Sequence, residues 1–160
     1  MENKPDRSRD AERSRAAILD AAERLFAEQG FDATSLTQVG AAAGVSRGTP
    51  GYFFRTKAEL YQAVLDRSLA ESARLIERWH GAADGRLQYA VTPRFAVSCT
   101  ADLLRESAAL AASTGAYWQT HLSEDHHEIA QVAYLFPEAR DYLDVYDRAG
   151  GLGPRTVLAH

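Results

Sequence analysis

Apolar residues recur at helical spacing from about Arg9 to Trp79, and the period changes near residue 80. Ile18, Leu19, Ala22, Leu25 and Phe26 fall at i, i+1, i+4, i+7 and i+8, which is one face of a helix. Gly30 is placed to end it. Ser35, with Gln38 three residues later, reads as a capping box opening a second helix whose inner side carries Leu36, Val39 and Ala43. Gly44 stops that helix, and Ser46 is expected to cap a short third one. Thr56 and Glu59 form a second capping box, opening a long helix with Leu60, Tyr61, Val64 and Leu65 inward.

Beyond the turn "GAADG" (81 to 85) the pattern alternates between extended and helical runs. "RLQYAVT" (86 to 92) is extended and halts before Pro93. "TADLLRESAALAA" is helical, with Leu103, Leu104, Ala108 and Ala111 on one side. "GAYWQTHL" is extended, "DHHEIAQVAYLF" helical, and "PEARDYLDVYDRAGG" is expected to start a helix at Pro137 and stop at Gly150. "RTVLAH" is a last extended run. Strand, helix, strand, helices, strand implies parallel pairing through crossovers. The fold class expected is therefore mixed. An all-α helix-turn-helix domain over 1–67 precedes an incomplete α/β segment over 68–160, with about three strands.

Charge sharpens this division. Through Arg67 there are ten basic and ten acidic residues; from Ser68 there are eight against twelve, which accounts for the net charge of −4. The acidic balance disfavours nucleic acid as the later segment's partner. The apolar share of 46% and charged share of 25% are those of a globular protein. No apolar run approaches a membrane span, and the polar N-terminus does not resemble a signal peptide, so a cytoplasmic location away from membranes is expected. Cys99 stands alone, which excludes an internal disulfide, suits a reducing compartment and reads as a small core residue.

Two helices meeting at the Gly44 turn make a helix-turn-helix, whose second helix lies in the major groove of DNA. In "SRGTPGYFFRTK", Arg47 can donate a bidentate pair to guanine. Ser46 and Thr49 can donate to phosphate or contact bases, and Tyr52 offers a phenol to phosphate. Lys57 stands in the first turn of the next helix, whose backbone amides also attract phosphate. "ILDAAERLFAEQGFDATSLTQVGAAAGVSRGTPGYFFRTKAELYQAVLDR" (18 to 67) resembles the DNA-binding domain of TetR-type transcriptional regulators. The resemblance implies that Ser35, Gln38, Arg47, Thr49, Tyr52 and Lys57 lie at DNA. Two departures stand out: Gly40 where alanine is usual, and Pro50-Gly51 where a bulky pair is usual.

In parallel α/β folds, chemistry gathers at the carboxyl ends of strands. Here the extended runs are followed by Arg94 and Phe95, by His121 with Glu124 just beyond, and by His160. Imidazoles at successive strand ends can converge on zinc, which supplies hydroxide from bound water near neutral pH. A carboxylate such as Glu124 can shuttle a proton, and Arg94 with Phe95 can hold and stack on a planar polar substrate. His126 and His127 read as surface residues. "LIERWHG", "GRLQYAVTPRFAVSCTADLL", "QTHLSEDHHEI" and "LFPEARDYLDVYDRAGGLGPRTVLAH" together resemble guanine deaminase of the amidohydrolase superfamily. That resemblance implies a zinc-bearing (β/α)8 barrel converting guanine and water to xanthine and ammonia. It makes His121 and His160 zinc ligands, Glu124 the catalytic proton shuttle, and Arg94 and Phe95 substrate contacts.

The resemblance covers part of such an enzyme. The family's early His-x-His triplet occurs nowhere in the chain, and its late Asp ligand is expected beyond residue 160. A barrel needs roughly 250 residues. Leu65, Leu69, Ala73, Ile76 and Trp79 keep a helical stripe across the junction, so one helix over about 57 to 80 is expected. Three functions stay open: a DNA-binding regulator head with an inactive tail, a zinc-dependent guanine deaminase completed by another chain, and a chimera with no activity. The helical domain through which such regulators usually dimerise is replaced, leaving dimerisation open.

Overall fold

The computed structural model describes residues 7–160, which divide into two units between Arg67 and Ser68. In the first unit α1 spans Arg7–Ala33, α2 Leu36–Ala42 and α3 Thr49–Phe53; α4 spans Lys57–Trp79 and carries the chain into the second unit. Gly30 has φ 81°, so the regular part of α1 ends there as its sequence requires. The core gathers Ile18, Leu19, Ala21 and Ala22 of α1 with Val39, Phe54, Leu60 and Val64. These are the periodic positions, buried because the helical repeat puts them on one face.

The capping chemistry decides where the short helices begin. Ser35 accepts from the Gln38 amide, and the Gln38 side chain accepts from the Ser35 amide, a complete capping box. The box at α4 is skewed: Thr56 caps the Glu59 amide, but the Glu59 carboxylate takes the amide of Arg55 at 3.0 Å. Ser46 is not the cap of α3. Gly48 holds that place, and the Ser46 hydroxyl pairs with that of Thr49 at 2.7 Å. Pro50, which has no N–H to donate, sits in the first turn and fixes the later start.

The two departures in this region explain each other. A Cβ on Gly40 would lie 3.1 Å from the Ser46 carbonyl oxygen and 3.2 Å from both Cδ and Cγ of Pro50. Pro50 is fully buried against that site. A proline ring on α3 therefore occupies the space that an alanine methyl on α2 would need.

The second unit holds a three-stranded parallel sheet in the order β1-β2-β3. β1 is Ala90–Val91, β2 Tyr117–His121 and β3 Thr156–Ala159. β1 is much shorter than the extended run 86 to 92, because residues 86–89 are bonded into the Gly81 turn and to the His80 ring. α5 (Ala101–Thr114) is capped by Thr100, α6 (His126–Leu135) by Asp125 and α7 (Tyr142–Arg148) by Asp141. Pro137 does not begin α7. The Asp141 carboxylate caps the Asp144 amide, and Asp144 in turn binds the Arg140 amide, so the helix starts at Tyr142. Trp118 and Thr120 of β2 face a core built with Leu104, Ala108, Val132, Val145 and Tyr146. Tyr117, Gln119 and His121 face the other way and stay partly exposed. The sheet is open: three strands do not close into a barrel. Cys99 is half-buried, and burial raises its thiol pKa.

Candidate nucleic-acid interface and candidate catalytic cluster

In the first unit, Arg47 and the strongly exposed Tyr52 present their side chains to solvent on either side of the α3 start. Arg47 lies in the turn before α3, not inside the helix. The hydroxyls of Ser46 and Thr49 bind each other, and the Ser35 hydroxyl binds the Gln38 carbonyl. This leaves the Gln38 Nε2 amide as its outward donor. Lys57 opens the first turn of α4, as expected, and its ammonium also makes contacts within the unit. Its ammonium donates to the carbonyls of Phe31 (2.7 Å) and Asp32 (3.2 Å) and sits 4.3 Å from the Phe31 ring centre. It closes the orphan carbonyl end of α1, a natural post for a cation. Arg55, with a side chain 90% exposed just past α3, carries no periodic or capping signature in the sequence.

In the second unit the strand ends do converge. The Arg94 carbonyl, just past β1, accepts from the His121 amide at 2.8 Å, and the Thr120 hydroxyl oxygen lies 3.2 Å from it. The His121 Nδ1 lies 3.0 Å from the same oxygen. A carbonyl only accepts, so this geometry calls for a proton on Nδ1, and in the neutral ring Nε2 then carries the lone pair. That is the tautomer a metal-binding or proton-accepting imidazole needs. Glu124 Oε1 lies 4.0 Å from His160 Nε2, beyond β3. The Arg94 guanidinium rests on the Phe95 ring at 5.1 Å. Parallel pairing of β1, β2 and β3 thus brings Arg94, Phe95, His121, Glu124 and His160 to one end of the sheet. His126 and His127 are exposed at the start of α6.

The donor set does not fit a catalytic zinc site. Such a site takes three protein ligands, and no cluster of three His, Cys, Asp or Glu side chains able to hold a metal occurs among the described residues.

Behind these ends lie polar groups that patterning missed. Tyr146, fully buried, donates to the His121 carbonyl at 2.6 Å and accepts from the Ala96 amide and the Thr120 hydroxyl. The Glu128 carboxylate binds the Tyr142 hydroxyl and the Glu124 amide. The only available signal was the i, i+4 pair of tyrosines in "DYLDVYD".

Residues 18–64 match the family of bacterial regulatory proteins, tetR family. The chain is 49% identical over 96 residues to the probable guanine deaminase of Deinococcus radiodurans, covering 59% of this chain and 21% of that protein. It is 37% identical over 134 residues to the guanine deaminase of Escherichia coli, covering 81% of this chain and 28% of that protein. The solved structure of the E. coli guanine deaminase superposes with a TM-score of 0.56 at 40% identity, covering 60% of this chain and 22% of that one. The chain thus spans 21% and 28% of the length of these two curated relatives. No helix among the described residues is long and apolar enough to cross a membrane.

Proposed function

We propose that this chain is a cytoplasmic DNA-binding regulator, read through its tetR-family residues 18–64, which carries a partial guanine-deaminase-like segment that is catalytically silent by itself. The observation that carries the first half is the helix-turn-helix itself. α2 is fixed by its capping box, α3 is wedged by Pro50 against Gly40, and Arg47 and Tyr52 are exposed beside α3. In the groove, α3 approaches base edges, Arg47 donates two hydrogen bonds to a guanine, and Tyr52 and the Gln38 amide hold phosphates. Ser46 and Thr49 shape the approach through their shared hydrogen bond, and Ser35 through its bonds to Gln38, with outward lone pairs left for phosphate-bound water. Lys57 braces the end of α1 and adds positive charge beside the first turn of α4.

What supports a silent second half is the donor set: among the described residues no three His, Cys, Asp or Glu side chains cluster as a catalytic zinc site requires. Retention of DNA by the purified chain tests the reading. A pool of random duplexes passed over the full chain should yield an enriched motif, and binding should fall steeply with salt. Recovery of an unenriched pool counts against it.

A second reading is favoured by one observation: five residues of deaminase-like type lie at one sheet end, with His121 Nδ1 set 3.0 Å from the Arg94 carbonyl oxygen. If another chain supplied the missing strands, Arg94 and Phe95 would seat guanine, and Glu124 would move a proton between the attacking water and the leaving amine, giving xanthine and ammonia. Ammonia release from guanine in the presence of zinc, abolished by Glu124→Ala, would establish that reading. A chain that aggregates without DNA retention or turnover would be an inactive chimera; the open sheet edges are its hazard.

A further inference from the structure

Two tyrosines one turn apart on α7 reach different parts of the strand-end cluster. Tyr146 is fully buried, and its hydroxyl donates to the His121 carbonyl while accepting from the Ala96 amide at 3.1 Å and the Thr120 hydroxyl at 3.2 Å. One phenol therefore ties the end of β2 to the loop after β1, the loop whose Arg94 carbonyl sets the His121 tautomer. Tyr142 donates to one oxygen of the buried Glu128 carboxylate, and the other oxygen accepts the Glu124 amide at 3.1 Å. Between the two anchors runs Leu122–Ser123, where Ser123 has φ 58°, a strained value for a residue with a Cβ. A strained link persists where its flanks are pinned.

We propose that Tyr146 and Tyr142 are positioning residues, the first fixing the orientation of His121 through its carbonyl and the β1 loop, the second fixing Glu124 through Glu128. The rings lie 5.5 Å apart on α7, so one helix carries both anchors. Burial raises the pKa of both phenols, which keeps them donors at any working pH. The role rests on the reading of His121 and Glu124 as a guanine-handling cluster.

The test compares Tyr146→Phe and Tyr142→Phe in the full chain by nitrogen NMR of the His121 ring and by amide exchange. Tyr146→Phe should turn His121 from the Nδ1–H form into a mixture of tautomers, and should speed exchange at Ala96 about tenfold, the protection of one hydrogen bond. Tyr142→Phe should leave the His121 ring unchanged and speed exchange at Glu124 by a similar factor. That split separates positioning from general loosening. Equal acceleration across α5, α6 and α7 in both variants, or an unchanged His121 ring in Tyr146→Phe, overturns the proposal. Should Tyr146→Phe not fold, Tyr142→Phe decides: the proposal falls if Glu124 exchange stays at the parent rate. Guanine titrated into the parent chain tests the underlying reading separately. Unmoved His121 and Arg94 signals would remove the guanine role while the positioning result stands.

Discussion

Replacing Gly40 by alanine sets two effects against each other. In an exposed helix the change would stabilise by about 1 kcal/mol, since glycine is the poorest helix former after proline. In α2 the new methyl would stand 3.1 Å from the Ser46 carbonyl oxygen and 3.2 Å from two carbons of Pro50. Neither neighbour can give way cheaply. The Ser46 carbonyl is held by the Thr49 amide at 3.0 Å, and Pro50 is a rigid, fully buried ring. Overpacking of this kind costs about 1–3 kcal/mol. The clash matches or outweighs the gain in helix propensity, and the net is a loss of up to about 2 kcal/mol. Both tryptophans, Trp79 and Trp118, lie in the second unit, so fluorescence would report on the wrong part of the chain. Native-state amide exchange at Val39 and Leu60 reports the first unit directly, and should quicken by up to about 30-fold. Adding Pro50→Ala should recover part of the loss by emptying the contact. Slower exchange in Gly40→Ala alone would refute the wedge and leave helix propensity as the whole story.

Further outcomes follow from the second unit. A methyl on Gly151 would meet three Trp118 ring atoms at 2.7 to 3.0 Å, and Trp118 is buried and bonded to Ser107. Gly151→Ala should destabilise that unit by about 1–3 kcal/mol, visible as an earlier urea transition in Trp118 fluorescence; an unmoved midpoint would contradict the packing. Hydrogen bonds from the Arg140 and Arg148 side chains and the Arg140 amide hold the Asp144 carboxyl well below the usual carboxylate range. A pKa depressed in the folded state gives stability that is present above the ordinary Asp value of about 3.9 and lost as pH falls toward the folded value. Asp144→Asn should therefore flatten the acid limb of the unit's stability curve, and an identical limb in both proteins would rule Asp144 out as its source.

The helices of the first unit were legible because each boundary is written in local chemistry. Ser35 and Gln38 name their own amides, and Ile18, Leu19 and Ala22 name the buried face. Pattern failed where two local rules competed. At Ser46, a good capping type lost to the start imposed by Pro50. At Pro137, a favoured first-turn residue lost to Asp141, whose carboxylate reaches an amide directly. The helix position of Lys57 is legible in the sequence, but its contact with a helix end 26 residues earlier is not. The strand-end cluster was visible in sequence because parallel strands deliver their carboxyl ends to one side. The tyrosines behind it were not, since contacts from Tyr146 to His121 and Ala96 span 25 and 50 residues. Gly40 and Pro50 looked like separate departures until they proved to be one contact.

The measurement that bears most directly on the account is the affinity of the full chain for a duplex carrying its selected motif, by fluorescence anisotropy, beside Arg47→Ala and a scrambled duplex. The account predicts that Arg47→Ala weakens the motif by about 1–3 kcal/mol, the worth of one bidentate base contact. Its affinity for the scrambled duplex should change far less. Equal affinity of parent and variant for the motif, or no preference of the parent for motif over scrambled DNA, would contradict it.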